Sequence, residues 1–88
     1  MNKDLKDLIV NCSKEIKNHN PTPLRVIRIL TDLIEEKKIC DIIQLKELVE
    51  DNPNYLIRTP NFGRTSLQYL KEKMYSMFKF KTIVERVI

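Results

Sequence analysis

Residues 55–77 read YLIRTPNFGRTSLQYLKEKMYSM and place the only glycine of the chain between two apolar patterns with helical spacing. Before the glycine, Pro60 must end the short apolar run, because proline cannot continue a helix and biases its predecessor away from helical angles. After the glycine, apolar residues recur at the three- and four-residue spacing of one buried helical face. These residues are Leu67, Leu70, Met74 and Met77. The stretch therefore predicts a short helix, a tight PNFG turn at residues 60–63 and a longer helix, which together form a helix-hairpin-helix.

The same turn predicts a place where a phosphate can bind. The first amides of a helix have no intrahelical partner and carry a partial positive charge, and glycine lets another backbone approach closely. Arg64, Thr65 and Ser66 follow the glycine directly. Hydroxyls and backbone donors fix register on a phosphate, and arginine adds a salt-sensitive attraction. Taken singly, each residue has a structural alternative, since the hydroxyls can cap the helix and the arginine can be a solvated charge.

The whole chain reads as a compact all-α bundle of about five helices. The predicted helices cover about residues 2–17, 23–37 and 42–50, then a short helix that begins at Pro53, and residues 63–77. Thr22, Asp41 and Asn52 are the predicted N-caps of the second, third and fourth helices. We divide the chain into an N-terminal amphipathic helix with a Pro/Asn-rich connector (1–20), a helical domain (21–80) and a tail (81–88). The tail pattern fits an extended segment and a helical extension equally well.

Length and composition limit the class of protein. The chain has 88 residues, of which 42% are hydrophobic and 32% charged, with one glycine and no tryptophan. This suits one small helical domain better than a sandwich with many glycine-rich turns. Cys12 and Cys40 lie on apolar faces without partners at metal-ligand spacing, so we expect buried free thiols. The charged N-terminus and the lack of an apolar run near ~20 residues predict no membrane span and a cytoplasmic location.

Positive charge is concentrated in the half of the chain that contains the turn. Residues 1–51 hold nine Lys/Arg and ten Asp/Glu, whereas residues 52–88 hold seven Lys/Arg and two Asp/Glu. Such asymmetry favours a polyanionic partner, although lysine-rich helix surfaces also serve solubility alone. Lys71 and Lys73 are the predicted peripheral charges of a nucleic-acid site.

Over residues 45–78, LKELVEDNPNYLIRTPNFGRTSLQYLKEKMYSMF resembles the C-terminal domain of the bacterial RNA polymerase alpha subunit. The matching parts are KELV, YLIRT, the PNFGRTS turn and SLQYLKEKM, and LRVIRILTDLIEEKKI is a weaker counterpart of the family's first helix. The resemblance implies docking on the DNA minor groove and contact with RNA polymerase or another transcription protein. It matches Gly63 and Ser66 to the family's turn contacts and Arg28 to its groove-inserting arginine. Thr65 and Asp32 depart from the family pattern.

Catalytic patterns are weak in this sequence. His19 is the only histidine, and no Ser/His/Asp, Cys/His or glycine-rich nucleotide pattern accompanies it. The adjacent acids at positions 35–36 and 50–51 point in different directions on their helices and do not form a convergent metal pair. We therefore expect no enzymatic activity, metal or cofactor.

The sequence thus predicts a small, non-enzymatic, transcription-associated DNA-binding protein, which would be nucleoid-associated within the cytoplasm. The predicted DNA-binding residues are Arg28, Gly63, Arg64, Thr65, Ser66, Lys71 and Lys73. The alternative is a protein-interaction adaptor or oligomerising subunit that keeps the fold without DNA contacts, for which Leu5, Leu8, Ile9 and Ile16 offer a homodimer strip. A fragment of a repair nuclease or ligase is a third, weaker interpretation.

Overall fold

The computed structural model describes residues 2–16 and 20–79, and every regular element in these ranges is an α-helix. The helices are α1 (Lys3–Lys14), α2 (Thr22–Glu35), α3 (Ile42–Asp51), α4 (Pro53–Ile57) and α5 (Arg64–Phe78). The prediction of an all-α chain with five helices is therefore confirmed. The tail at 81–88 and His19 lie outside the described ranges.

Side-chain caps from asparagine and aspartate begin two of the helices, α1 and α3. The Asn2 carboxamide oxygen accepts the amides of Asp4 and Leu5 at 3.0 and 3.2 Å. Asp41 accepts the Gln44 amide at 2.8 Å, which confirms the predicted cap of α3.

The prediction of Thr22 as the cap of α2 was wrong. Thr22 is the first helical residue, and Pro21 holds the N-cap position without a side-chain cap hydrogen bond. The Asn20 carboxamide oxygen accepts the Thr22 amide at 3.1 Å. Asn52 holds the predicted N-cap position of α4, without a side-chain cap hydrogen bond.

One hydrophobic core joins all five helices. Leu5, Leu8 and Cys12 of α1 are fully buried in the same cluster as residues of α2 and α5. Its other members are Val26, Ile29, Leu30, Leu33, Ile39, Ile42, Leu45, Val49, Leu56, Phe62, Leu67, Leu70 and Met74. Burial of a leucine side chain is worth about 1.5–3 kcal/mol, so α1 contributes to the stability of the whole bundle. The N-terminal helix thus shares the core of the predicted 21–80 domain.

The second helix ends two residues earlier than predicted. Lys37 has φ 60°, the left-handed conformation that stops a helix. Its amide reaches the Ile34 carbonyl at 3.1 Å, and the Lys38 amide reaches the Leu33 carbonyl at 2.9 Å, so the last carbonyls are satisfied. The connector that follows exposes Cys40, and the expectation that this thiol is buried was wrong. Cys12 is buried as predicted, and both thiols are free.

Across the described ranges, none of the helices combines the length and the apolarity that a membrane crossing demands.

Candidate nucleic-acid interface

The connection between α4 and α5 is anchored in the core at both ends. Leu56 at its start and Phe62 near its end are 0% and 2% exposed. The Thr59 carbonyl accepts the Phe62 amide at 3.1 Å, which closes the turn. Asn61 has φ 64°, a left-handed conformation that asparagine adopts more readily than most residues. The two anchors therefore hold Pro60 and Asn61 at the surface in a defined conformation.

Gly63 is the N-cap of α5 and makes no side-chain cap hydrogen bond. Its φ of −106° and ψ of −163° are extended angles that any residue adopts. A Cβ built at this position meets no atom within 4 Å. The Cβ position of Gly63 is therefore open space, and no side chain caps the start of α5. Within the predicted PNFG turn, the left-handed residue is Asn61.

A groove of about 370 Å³ lies between α2 and this turn. We call it the α2–turn groove, and Arg25, Arg28 and Asp32 from α2 and Thr59, Pro60 and Asn61 from the turn line it. The structure thus brings Arg28 and the predicted turn, far apart in sequence, to the same surface. Arg25 was missed by the sequence analysis. Its spacing of three residues from Arg28 places both on one helical face, and this signal could have identified it.

The guanidinium groups of the α2–turn groove are available to a ligand. Among residues 2–16 and 20–79 the ion pairs are Lys46–Glu50 and Lys73–Glu15, so Arg25 and Arg28 have no ion-pair partner there. Both arginines are exposed. Asp32 lies in the same groove and offsets part of their charge. The lining therefore carries two cations and one carboxylate, a modest positive balance.

Arg64 and Thr65 line a different groove, of about 570 Å³. We call it the α5 groove, and Asn20, Thr22, Gln68, Tyr69 and Glu72 complete its lining. Both predicted residues are exposed. Glu72 accepts a hydrogen bond from the side-chain Nε2 of Gln68 at 3.1 Å and places a carboxylate on the same surface as Arg64. The seven predicted site residues are therefore divided between surfaces instead of forming one patch.

Three of the predicted site residues have different surroundings from those expected. Ser66 is 2% exposed, so its hydroxyl is not presented to a phosphate. Its position four residues before the buried Leu70 is a helical-phase signal that could have predicted this burial. Lys73 is engaged by Glu15 and Asn11, with its side chain 16% exposed, and is therefore not a peripheral surface charge. Lys71 is partly exposed and lines neither groove.

The apolar strip proposed for self-association is largely occupied within the protomer. Leu5 and Leu8 are fully buried against the bundle, and Ile9 packs at its edge. Ile16 is 45% exposed, and Val10 on the outer side of α1 is 43% exposed. Scattered apolar residues of this kind are ordinary on protein surfaces. The homodimer alternative therefore loses the contiguous strip on which it depended.

Metal ligation has no support from the geometry of the described side chains. Across residues 2–16 and 20–79, no three His, Cys, Asp or Glu residues come together in a way that could hold a metal ion.

Comparisons of the chain with protein-family models, with characterised proteins and with solved structures give no match. The resemblance to the polymerase alpha domain therefore depends on the residues quoted above alone.

Proposed function

We propose that this protein is a small, non-enzymatic DNA-binding protein that acts in transcription. In this proposal the α2–turn groove docks on the DNA backbone or minor groove. The observation that carries the proposal is that Arg28 and the exposed turn at Pro60 and Asn61 line the same groove. The uncapped N-terminus of α5 follows this turn directly. Guanidinium groups and unpartnered helix amides are the donors that phosphate oxygens require.

Fewer of the seven predicted residues are available to contact DNA than the sequence alone suggested. Arg28 and Arg25 supply charge from α2, and the first amides of α5 supply backbone donors. Arg64 and Thr65 line the separate α5 groove beside Glu72, so we expect them to contribute less than the arginines of α2. Ser66 and Lys73 are not part of the contact, since the first is buried and the second is paired with Glu15.

The expected affinity is low at physiological salt. Neutralising three phosphates gives a slope of log Kobs against log salt of about −2.7. Asp32 in the α2–turn groove weakens the attraction further. A second binding module is therefore needed for tight binding, and RNA polymerase or another transcription protein would supply it, as the resemblance implies.

A salt-dependent titration tests the proposal. The protein is added to a fluorescein-labelled DNA duplex of mixed sequence, and fluorescence anisotropy is followed at several salt concentrations. Arg28→Glu and Arg64→Glu are compared with Lys3→Glu, which makes the same change in net charge on α1. Lys3 is exposed at the start of α1, where an acid is favourable, so the control keeps the fold.

We expect Arg28→Glu to weaken DNA binding at least tenfold and Arg64→Glu to weaken it less, with Lys3→Glu close to the parent. Equal losses in all three variants would show a net-charge effect without a site. No binding by the parent protein at low salt would reject DNA as the partner.

The acids in the grooves favour a second candidate, an adaptor that binds another protein without DNA. Asp32 in the α2–turn groove and Glu72 in the α5 groove both oppose a polyanion. Such an adaptor shows no binding in the titration above, whereas it co-sediments with a protein partner.

A further inference from the structure

We propose that the face of α4 carries a second phosphate-contact site, next to the α2–turn groove. The site is a groove of about 360 Å³ lined by Asn52, Tyr55, Arg58 and Thr59, and we call it the α4 groove. A nucleic-acid strand held in the α2–turn groove continues across Thr59 into the α4 groove, where Arg58 and Lys38 bind its next phosphates. This inference rests on the proposed function and specifies the path of the strand.

Thr59 lies at the boundary of the two grooves. It lines both of them, and it is the one residue that their linings share. Its hydroxyl donates to the Tyr55 carbonyl at 3.3 Å, which ties the boundary between the grooves to the backbone of α4. The two grooves are therefore neighbours on the surface, with Thr59 between them.

Two cations stand at the α4 groove. Arg58 lies in its lining, is exposed, and has no ion-pair partner within residues 2–16 and 20–79. The Lys38 ammonium lies 4.8 Å from the centroid of the Tyr55 ring, and Tyr55 also belongs to the lining. This cation–π contact holds a charge over the groove while the ammonium stays in solvent. Contact with Tyr55 raises the pKa of Lys38, which keeps the ammonium charged.

The positions of the acidic residues favour a nucleic-acid strand that runs from the α2–turn groove to the α4 groove over one that runs to the α5 groove. All four residues that line the α4 groove are uncharged or positive. The α5 groove, in contrast, presents Glu72 beside Arg64. Glu36 acts electrostatically on Lys38 but does not line the α4 groove. A strand that leaves the α2–turn groove towards α4 meets positive charge, whereas one that continues along α5 meets a carboxylate.

The test measures the salt slope for variants of the α4 groove. Arg58→Gln, Lys38→Gln and the double variant are titrated against the labelled duplex between about 50 and about 200 mM salt. The matched control is the double variant Lys3→Gln/Lys6→Gln, which removes the same charge from exposed positions on α1. Arg28→Gln reports on the α2–turn groove in parallel. Thermal unfolding shows whether Lys38→Gln, which loses the contact with Tyr55, remains folded.

We expect each α4-groove substitution to reduce the magnitude of the slope by about 0.9, with no change for the α1 control. A parent that binds, with an effect of Arg28→Gln but none of Arg58→Gln, overturns this inference and leaves the proposed function standing. A parent that does not bind overturns both proposals. If Lys38→Gln proves unstable, the salt slope of Arg58→Gln alone tests the α4 groove, since Arg58 takes no part in the cation–π contact.

Discussion

Lys73 in the middle of α5 forms an ion pair with Glu15, the residue that follows α1. Tyr69, one turn earlier on α5, donates its phenolic hydrogen bond to the same carboxylate, and Asn11 accepts a further hydrogen bond from Lys73. Ion pairs with an exposed member contribute little net stability, and the Glu15 side chain is 44% exposed. We therefore expect this network to fix the position of α1 on α5, while apolar burial supplies most of the docking free energy.

The Tyr69 phenol makes the stability of the protein sensitive to alkaline pH. Burial, together with the hydrogen bond to Glu15, raises the pKa of Tyr69 above its ordinary value of 10.0. The unfolded chain therefore loses this proton first as the pH rises. The stabilising contribution is complete below pH 10.0 and decreases as the pH increases above it. Denaturant midpoints measured at neutral pH and above pH 10.0 should show this loss, and Tyr69→Phe should reduce it.

Tyr75→Phe is the matched control, since it removes a phenol from the same helix. We expect this variant to keep the full alkaline loss of the parent. Burial also raises the pKa of the Cys12 thiol, which adds a loss of the same sign above its ordinary value of 9.0. A Tyr69→Phe curve that coincides with the parent curve would show that this phenol has no part in the alkaline transition.

Substitutions on the two sides of α1 should have unequal effects on stability. Leu8 is fully buried, whereas Val10 of the same helix is 43% exposed. We expect Leu8→Ala to lower the free energy of unfolding by about 2–5 kcal/mol through lost burial and a residual cavity. Val10→Ala should change it by no more than ~0.5 kcal/mol. Urea unfolding followed by circular dichroism gives both values, and equal values would mean that α1 is not docked on the bundle.

The two thiols should differ in reactivity. Cys40 is exposed, whereas Cys12 is buried and burial raises its pKa, which disfavours the reactive thiolate. In the native protein we expect fast modification of Cys40 by a chromogenic disulfide reagent and modification of Cys12 only after denaturation. Cys40→Ser should abolish the fast phase, and Cys12→Ser should leave it unchanged. A fast phase that survives in Cys40→Ser would place Cys12 within reach of solvent.

Local signals predicted the helices well where a side chain marks the boundary. Asp41 caps α3 as expected, because capping is decided by residues three positions apart. The end of α2 was missed because Lys37 adopts a left-handed conformation without being glycine or asparagine. A lysine at that position carries no sequence signal for a helix stop, so the satisfied carbonyls of Leu33 and Ile34 could be recognised only in the structure.

The candidate site was predicted less completely than the helices because it is formed by residues that lie far apart in the sequence. Helical spacing indicates that Arg25 and Arg28 share a face, but only packing of α2 against the α4–α5 turn places them beside Asn61. The pairing of Lys73 with Glu15 joins residues 58 positions apart, and no periodicity reports such a contact. Charge counts treat a paired lysine and an available arginine alike, which explains why Lys73 was assigned to the interface.

The uncapped start of α5 offers a test in which stability and binding change in opposite directions. Gly63 has the extended angles of an N-cap and open space where a Cβ would stand. The new serine hydroxyl in Gly63→Ser should accept the amide of Thr65 or Ser66. We expect this cap to raise the free energy of unfolding by roughly a few tenths of a kcal/mol. Gly63→Asp should add about 0.3–1 kcal/mol through its charge at the helix N-terminus. Urea unfolding measures both increments.

The same variants should bind DNA more weakly, since the new side chain occupies the amides and the aspartate repels phosphate. Gly63→Ala is the control, because it adds a Cβ and leaves the amides uncapped. We expect anisotropy titrations to give the order parent, then Gly63→Ala, then Gly63→Ser, with Gly63→Asp the weakest. A Gly63→Asp protein that is stabilised and yet binds DNA like the parent would show that phosphates do not reach the start of α5. The contact would then be confined to the arginines of α2 and the face of α4.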